Sequence, residues 1–338
     1  MRLKKILLIS STLIFISLCG LTLFILDLRQ YADQPASPDT KNIVVNIPSG
    51  QTFKVTTDIL LKAGIIKSPF KFNMVARLKG YDKQLKAGEY TLAASMPPTK
   101  ILEKLVKGDV KLYKLTVPEG LNIYQIAELV AQEGFAERAV FIESATDAAF
   151  AHEHGITAGT FEGYLYPETY YFPKSVSTKI IVSSMVKRFW LVFKPEWQER
   201  GKQLGFSVHQ VVTLASIIEK ETGAPFERPI ISSVFHNRLK KKMRLESDPT
   251  VIYGLKNFDG NLNRKHLETL TPYNTYKIRA LPPGPIASPG SESLEAALYP
   301  ADTKYIYFVS KKDNTHQFST NLIDHNQAVR KYQLRRNR

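Results

Sequence analysis

The chain has 338 residues, 43% hydrophobic and 23% charged, which suits a folded protein of two or three domains and excludes a disordered one. The formal net charge is +15 and the one cysteine, Cys19, lies in the most apolar stretch, which excludes a disulfide framework and zinc–thiolate chemistry. Basic residues are scattered apart from Lys240, Lys241, Lys242 and Arg244, and Arg335, Arg336 and Arg338.

Residues 6–26 carry no charge, and about 20 such residues cross a bilayer as a helix. Arg2, Lys4 and Lys5 precede the run, and Asp27, Arg29, Asp33 and Asp39 come after it. By the positive-inside rule residues 1–5 stay in the cytoplasm and the bulk is exported. A cleaved signal peptide is the rival reading, but the run has no Ala-x-Ala site behind it. Export argues against nucleic acid as the partner of the positive charge and favours an anionic wall polymer or lipid surface. Residues 27–42, with Pro35, Ser37 and Pro38, read as a linker.

A strand is expected over 43–47, helices over 55–62 and 70–78, a strand over 88–92 and a helix over 99–106, closed by Gly108. The pattern then recurs. Val117-Pro118-Glu119-Gly120 echoes Ile47-Pro48-Ser49-Gly50 at a spacing of 70, and Gly134 follows Gly64 at the same spacing. Gly163-Tyr164-Leu165 resembles Gly88-Glu89-Tyr90, and Thr178-Lys179-Ile180 resembles Thr99-Lys100-Ile101. A duplicated strand-helix-helix-strand-helix unit is expected, the second copy carrying an aromatic insert. Beyond it come a helix over 208–222, a proline-rich loop over 280–290, a short helix over 293–298, a strand over 305–309 and a closing helix over 321–330.

Four segments are candidates for chemistry. In the 208–222 helix, Val211, Val212, Ala215 and Ile218 form an apolar stripe that Glu219 continues, so Glu219 projects from the buried side. Apolar surroundings keep a carboxyl protonated, as a general acid requires. The structural alternative ties Glu219 to Arg228 or Arg238; Lys220 and Glu221 fall on faces read as solvated. The segment 162–172, EGYLYPETYYF, places Glu162, Tyr166, Glu168 and Thr169 in a sugar-binding wall or, equally, in a core strand. Ser247 and Asp248 make a helix N-cap or a cleft wall, the cap being favoured. Asn274 and Tyr276, before Leu281-Pro282-Pro283-Gly284, are offered by a rigid loop, or else cap the core. His152 and His154 lack metal-site spacing and read as surface loop. No nucleophilic serine motif or phosphate loop appears, and no cofactor or metal is implied.

Ala215–Thr222 (ASIIEKET), Glu162–Tyr170 (EGYLYPETY), Ser247–Gly254 (SDPTVIYG) and Tyr273–Tyr276 (YNTY) with its Leu-Pro-Pro-Gly tail resemble, in order, the signatures of the endolytic murein transglycosylases, the YceG-like family. The resemblance implies an α+β protein with a single N-terminal transmembrane helix. Behind the helix it implies a LysM-like α/β subdomain over 43–112 and a mixed α+β catalytic domain over 113–338. It implies an inner-membrane, single-pass protein with its catalytic domain in the periplasm. Its substrate is peptidoglycan glycan strands, and peptidoglycan synthases at the same membrane are candidate partners. Glu219 falls on the catalytic glutamate. It would protonate the oxygen between N-acetylmuramic acid (MurNAc) and N-acetylglucosamine (GlcNAc). It would then take the proton of the MurNAc 6-hydroxyl, leaving 1,6-anhydro ends. Glu162, Tyr166, Glu168, Thr169, Ser247, Asp248, Asn274 and Tyr276 are the expected substrate-side residues. The family's usual Gln is replaced here by Glu246. A lysozyme-like hydrolase with a second carboxylate, and a non-catalytic wall-binding or scaffold protein, are the alternatives.

Overall fold

The computed structural model describes residues 2–256 and 258–334; Arg335, Arg336 and Arg338 lie outside the described residues. The protein is mixed α+β, with three separate two-stranded sheets. It divides into two compact units, Met1–Tyr113 with Tyr171–Ser175, and Lys114–Tyr170 with Val176–Arg338.

The first unit begins with the apolar run, which forms one long helix, α1 (Arg2–Asp33). Its stretch Leu7–Asp33 is long and apolar enough to cross a membrane. The helix runs beyond the apolar stretch into residues that the sequence reads as linker. The cause is packing: Leu28 is buried in the unit's core, and Phe24 and Tyr31 lie against it. After it, β1 (Ile43–Ile47) pairs antiparallel with β2 (Gly88–Leu92), with Val45 opposite Tyr90. Between them α2 (Phe53–Lys62) and α3 (Pro69–Leu78) are capped by the Thr52 and Ser68 hydroxyls. The helix α4 (Pro98–Lys107) closes the unit on Gly108, which takes the left-handed C-terminal conformation. Leu60, Phe72, Tyr90, Leu92, Ile101 and Leu105 are fully buried in the core.

The chain then repeats this order of elements. It forms β3 (Tyr113–Thr116), α5 (Ile123–Gln132), α6 (Arg138–Ala145), a short α7 (Ala148–Glu153), β4 (Thr169–Phe172) and α8 (Thr178–Val192). Gly50 and Gly120 share φ of 75° and 76°, and Gly64 and Gly134 share 70° and 67°. These left-handed turns are why glycine recurs at a fixed spacing. The repeat read from the sequence fails at one place: Gly163-Tyr164-Leu165 is a turn, and the strand equivalent to β2 is β4, further on. The aromatic insert displaces it. His154 is likewise no surface loop. Its ring bonds the Phe150 carbonyl at 3.0 Å and the Ser183 hydroxyl at 2.9 Å.

The rest of the second unit is helical around one buried element. After α9 (Pro195–Gln203) comes α10 (Val208–Glu221), started by a reciprocal Ser207–Gln210 capping box. Val212, Leu214, Ala215, Ile217 and Ile218 are fully buried on it. Packed against α10 are α11 (Arg228–Lys240), α12 (Asp248–Gly254) and, after α13 (Arg264–Glu268), α14 (Ser291–Leu298). The hairpin β5 (Tyr307–Ser310) and β6 (His316–Ser319) and the helix α15 (Leu322–Val329) finish the chain.

Candidate active site

The proline-rich loop explains how the site is positioned. It cannot form a helix or ladder, so its carbonyls and few N–H groups find partners on neighbouring elements. It runs along α10: His209 Nε2 meets the Pro283 carbonyl at 2.9 Å, and the Ser216 hydroxyl accepts the Ile286 N–H at 3.0 Å. At the end of the loop the Gly290 N–H donates to Glu219 Oε2 at 3.1 Å. A side chain at Gly163 would overlap Pro285, and Gly163 has φ of 84°, so the turn holding Glu162 fits the loop only with glycine.

Glu219 thus sits on the last turn of α10 with its side chain 9% exposed, and Arg228 of α11 lies 3.9 Å from its Oε1. The guanidinium is not Glu219's alone, because Arg228 Nη1 is bonded to Glu292. A further carboxylate reaches the same place, one not anticipated from the sequence. A Cβ on Gly290 would overlap the carboxylate of Glu119. Glu119 belongs to the turn after β3, fastened by Val117 N–H to the Glu168 carbonyl at 2.9 Å and Gly120 N–H to the Ser288 carbonyl at 2.8 Å. Partial burial of its carboxyl, then the charge of Glu219, raises its pKa, and Arg228 opposes the shift. A signal does stand in the sequence: Glu119 occupies the place where the first copy of the repeat has Ser49.

Beside this point lies a cavity of about 670 Å³ lined by Tyr124, Arg138, Lys220, Tyr253, Lys256 and Ile286 among others. Gly120 also lines it, and a Cβ there would stand 3.7 Å from Glu219 Cγ, so the cavity adjoins the glutamate.

The expected substrate-side residues divide into groups. Tyr166 is buried; burial and, more weakly, the nearby charge of Glu119 push its phenol pKa up. Glu168 is paired with Arg188, and Thr169 shares a 3.1 Å hydrogen bond with Thr116. Glu162 is 5% exposed and accepts the Ile123 N–H and, at 2.9 Å, the Tyr253 hydroxyl. It therefore ties α5 to α12, two walls of the cavity. Burial pushes its pKa up to about 7.

Ser247 precedes α12 but does not cap it with its side chain; its hydroxyl donates to Glu221 Oε1 at 2.6 Å. This corrects the reading of Glu221 as solvated. Burial, reinforced by the charge of Asp248, pushes Glu221 up to about 7. Asp248 accepts the Tyr276 hydroxyl at 2.7 Å. Asn274 is fully buried, and its amide donates to the Leu267 and Thr269 carbonyls, so it holds its own loop instead of facing a cleft. Glu246, at φ of 50°, bonds Arg238 at 3.1 Å. No group of three or more His, Cys, Asp or Glu placed to hold a metal occurs among the described residues.

Two carboxylates brought to one glycine beside an open cavity can donate and accept protons on a bound molecule. By fold this is a mixed α+β protein in which two carboxylates meet at Gly290. It belongs to the YceG-like family, whose model matches residues 45–331. The chain is 36% identical over 316 residues to an endolytic murein transglycosylase of Bacillus subtilis strain 168, covering 88% of this chain and 87% of the relative. It is 29% identical over 322 residues to the protein of that name from Streptococcus pneumoniae D39, spanning 86% of this chain and 58% of the relative. A 2.6 Å crystal structure of a yceG-like protein from Listeria monocytogenes shares 35% identity at a TM-score of 0.59, over 85% of this chain and 99% of that one.

Proposed function

We propose that this protein is an endolytic murein transglycosylase, a lyase of peptidoglycan held at the membrane by α1. The observation that carries the reading is Glu219, its side chain 9% exposed on α10 beside Gly120, which lines the cavity. The Gly290 N–H holds Oε2 and Arg228 stands 3.9 Å from Oε1, so the carboxyl is fixed in place. Protonated Glu219 gives its proton to the oxygen between MurNAc and GlcNAc as the bond to C1 breaks. The carboxylate so formed takes the proton of the MurNAc 6-hydroxyl, whose oxygen closes on C1. Proton count and bond count balance without water. Tyr124 and Tyr253 suit sugar faces, and Lys220, Arg138 and Lys256 suit the acidic groups of the wall.

The finer parts of the reading rest on family resemblance and on charge. Cleavage falls within nascent strands and ends their elongation. Residues 43–112 form a LysM-like unit, and residues 113–338 the catalytic domain. The N-terminus is cytoplasmic and the catalytic domain periplasmic at the inner membrane, beside peptidoglycan synthases as partners. Glu119 next to Glu219 is the observation that favours the second reading, a lysozyme-like hydrolase, because hydrolysis uses two carboxylates.

The experiment compares the full-length protein in detergent with Glu219→Gln on purified peptidoglycan, products being read by mass spectrometry. The wild type yields anhydro ends, lighter than reducing ends by one water, about 18 mass units. Glu219→Gln lowers their rate by about 10²–10⁴-fold, the contribution of a positioned acid–base group. Anhydro ends at an undiminished rate from the variant would remove Glu219 from the reaction.

A further inference from the structure

The junction between α1 and the rest of the first unit is packed and not hinged. Leu28 is buried in the unit's core, with Phe24, Tyr31 and Ala32 against it. Lys71 of α3 pairs with Asp27 at 2.7 Å, and the Tyr31 hydroxyl donates to the Ser68 carbonyl at 3.0 Å. The start of α3 is therefore held where α1 leaves its apolar run, and its depth in a bilayer follows from the helix.

The uncharged residues 6–26 rise about 1.5 Å each, which uses the full thickness of a hydrocarbon core, about 30 Å. Phe24 thus lies at the edge of that core, with Asp27 and Arg29 just outside it. The Phe70 ring stands 6.4 Å from the Phe24 ring, centroid to centroid, so it shares that depth. Yet Phe70, on the first turn of α3, is 63% exposed. A phenyl ring left uncovered at this level meets lipid, as the apolar face of an interfacial helix does.

Charge points to the same occupant. Residues 43–112 hold twelve Lys and Arg against five Asp and Glu, nearly half of the chain's net +15 in about a fifth of its length. Lys67, just before the Ser68 contact, and Arg29, just after Asp27, are exposed at the junction. Lys71 is taken by Asp27, whereas Lys67 and Arg29 have no ion pair among the described residues. An anionic wall polymer suits the charge but not the depth, because it does not enter the hydrocarbon edge where Phe70 stands.

We propose that the first unit docks on the bilayer surface from which α1 emerges, with Phe70 set into the interfacial layer and anionic phospholipid headgroups on Lys67 and Arg29. The proposal rests on the reading of α1 as a membrane span. Docking adds to the span and does not replace it, since one ring and a few cations hold a protein to lipid only weakly. It makes the attachment sensitive to the charge of the lipid, which a bare span is not.

The test places a fluorescent label at Phe70→Cys and, separately, at Leu13→Cys in the full-length protein carrying Cys19→Ser. Both labelled positions are exposed, so the fold tolerates them. Each protein is put in nanodiscs of phosphatidylcholine with or without phosphatidylglycerol. The lipids carry a spin-label quencher either near the headgroup or near the chain ends. The label at position 13 should be quenched from the chain ends, which reports the span. The label at position 70 should lose most of its emission to the shallow quencher and little to the deep one. Shallow quenching should be stronger with phosphatidylglycerol. Lys67→Gln with Arg29→Gln should remove that difference, as should about 1 M salt, which shortens screening to about 3 Å. A label at position 70 that only acrylamide in the water quenches, while position 13 reports the span, overturns the proposal and leaves the span standing. Protection of that label by peptidoglycan fragments in place of lipid overturns it too, and gives the face to the wall. Quenching at position 70 that ignores lipid charge overturns the role of the anionic headgroups. No lipid quenching at either position overturns both readings.

Discussion

At the scale of single residues, burial of carboxyl groups decides how the protein responds to pH. Folded Glu162 keeps its proton up to about pH 7, whereas an ordinary glutamate releases it near 4.5. Between those values the folded state binds more protons than the unfolded one, so stability falls as pH rises through the window and is flat above it. Glu221 is shifted the same way and adds to the slope. Thermal unfolding followed from pH 4 to 9 should show this loss. Glu162→Gln keeps an acceptor for Ile123 and Tyr253 and removes the charge, so above pH 8 it should be more stable than wild type by about 1–3 kcal/mol. A variant whose pH slope matches the wild type would mean that Glu162 does not titrate in this window.

Among elements, α10 and the loop laid along it carry the site. Gly163 marks where a third segment enters, at φ of 84° with Pro285 in the way of any Cβ. Gly163→Ala should destabilise by about 1–3 kcal/mol through strain and overpacking, and lower activity by disturbing the loop that ends at Gly290. A melt and a product assay on the same sample check both; an unchanged melting temperature would mean that the loop yields freely. How far such features are legible in the sequence depends on how local they are. The bounds of β1, α2, β2, α4 and α10 come from periodicity and from glycine and proline punctuation, and they agree with the structure to within a few residues. The buried face of α10 tells where Glu219 points. Helical spacing does not tell what covers a neighbouring face, so Glu221 reads as solvated although the Ser247 hydroxyl closes over it. Nor does spacing reveal Glu119, which acquires its place from a glycine far along the chain. Asn274 shows the converse error: an amide in a proline-fixed loop looks presented, yet its own loop uses both amide hydrogens.

At the scale of the molecule, one helix is long and apolar enough for the proposed attachment to a membrane, and the sequence puts positive charge before it. Leu13 and Phe15 are 62% and 67% exposed on α1, as side chains facing lipid would be. Replacing both by Lys costs about 2.5–3.5 kcal/mol each near the centre of a span. The double variant should leave the membrane fraction on cell fractionation, and its retention there would point to another means of attachment. In the proposed reaction an internal hydroxyl of the glycan, and not water, closes the broken bond. Digestion of purified peptidoglycan by the full-length protein in water enriched in oxygen-18 tests this most directly. The new ends should be anhydro and carry no heavy oxygen, in numbers equal to the bonds cut. Reducing ends bearing one heavy oxygen, in the same proportion, would contradict that chemistry and make Glu219 and Glu119 the two carboxylates of a hydrolase.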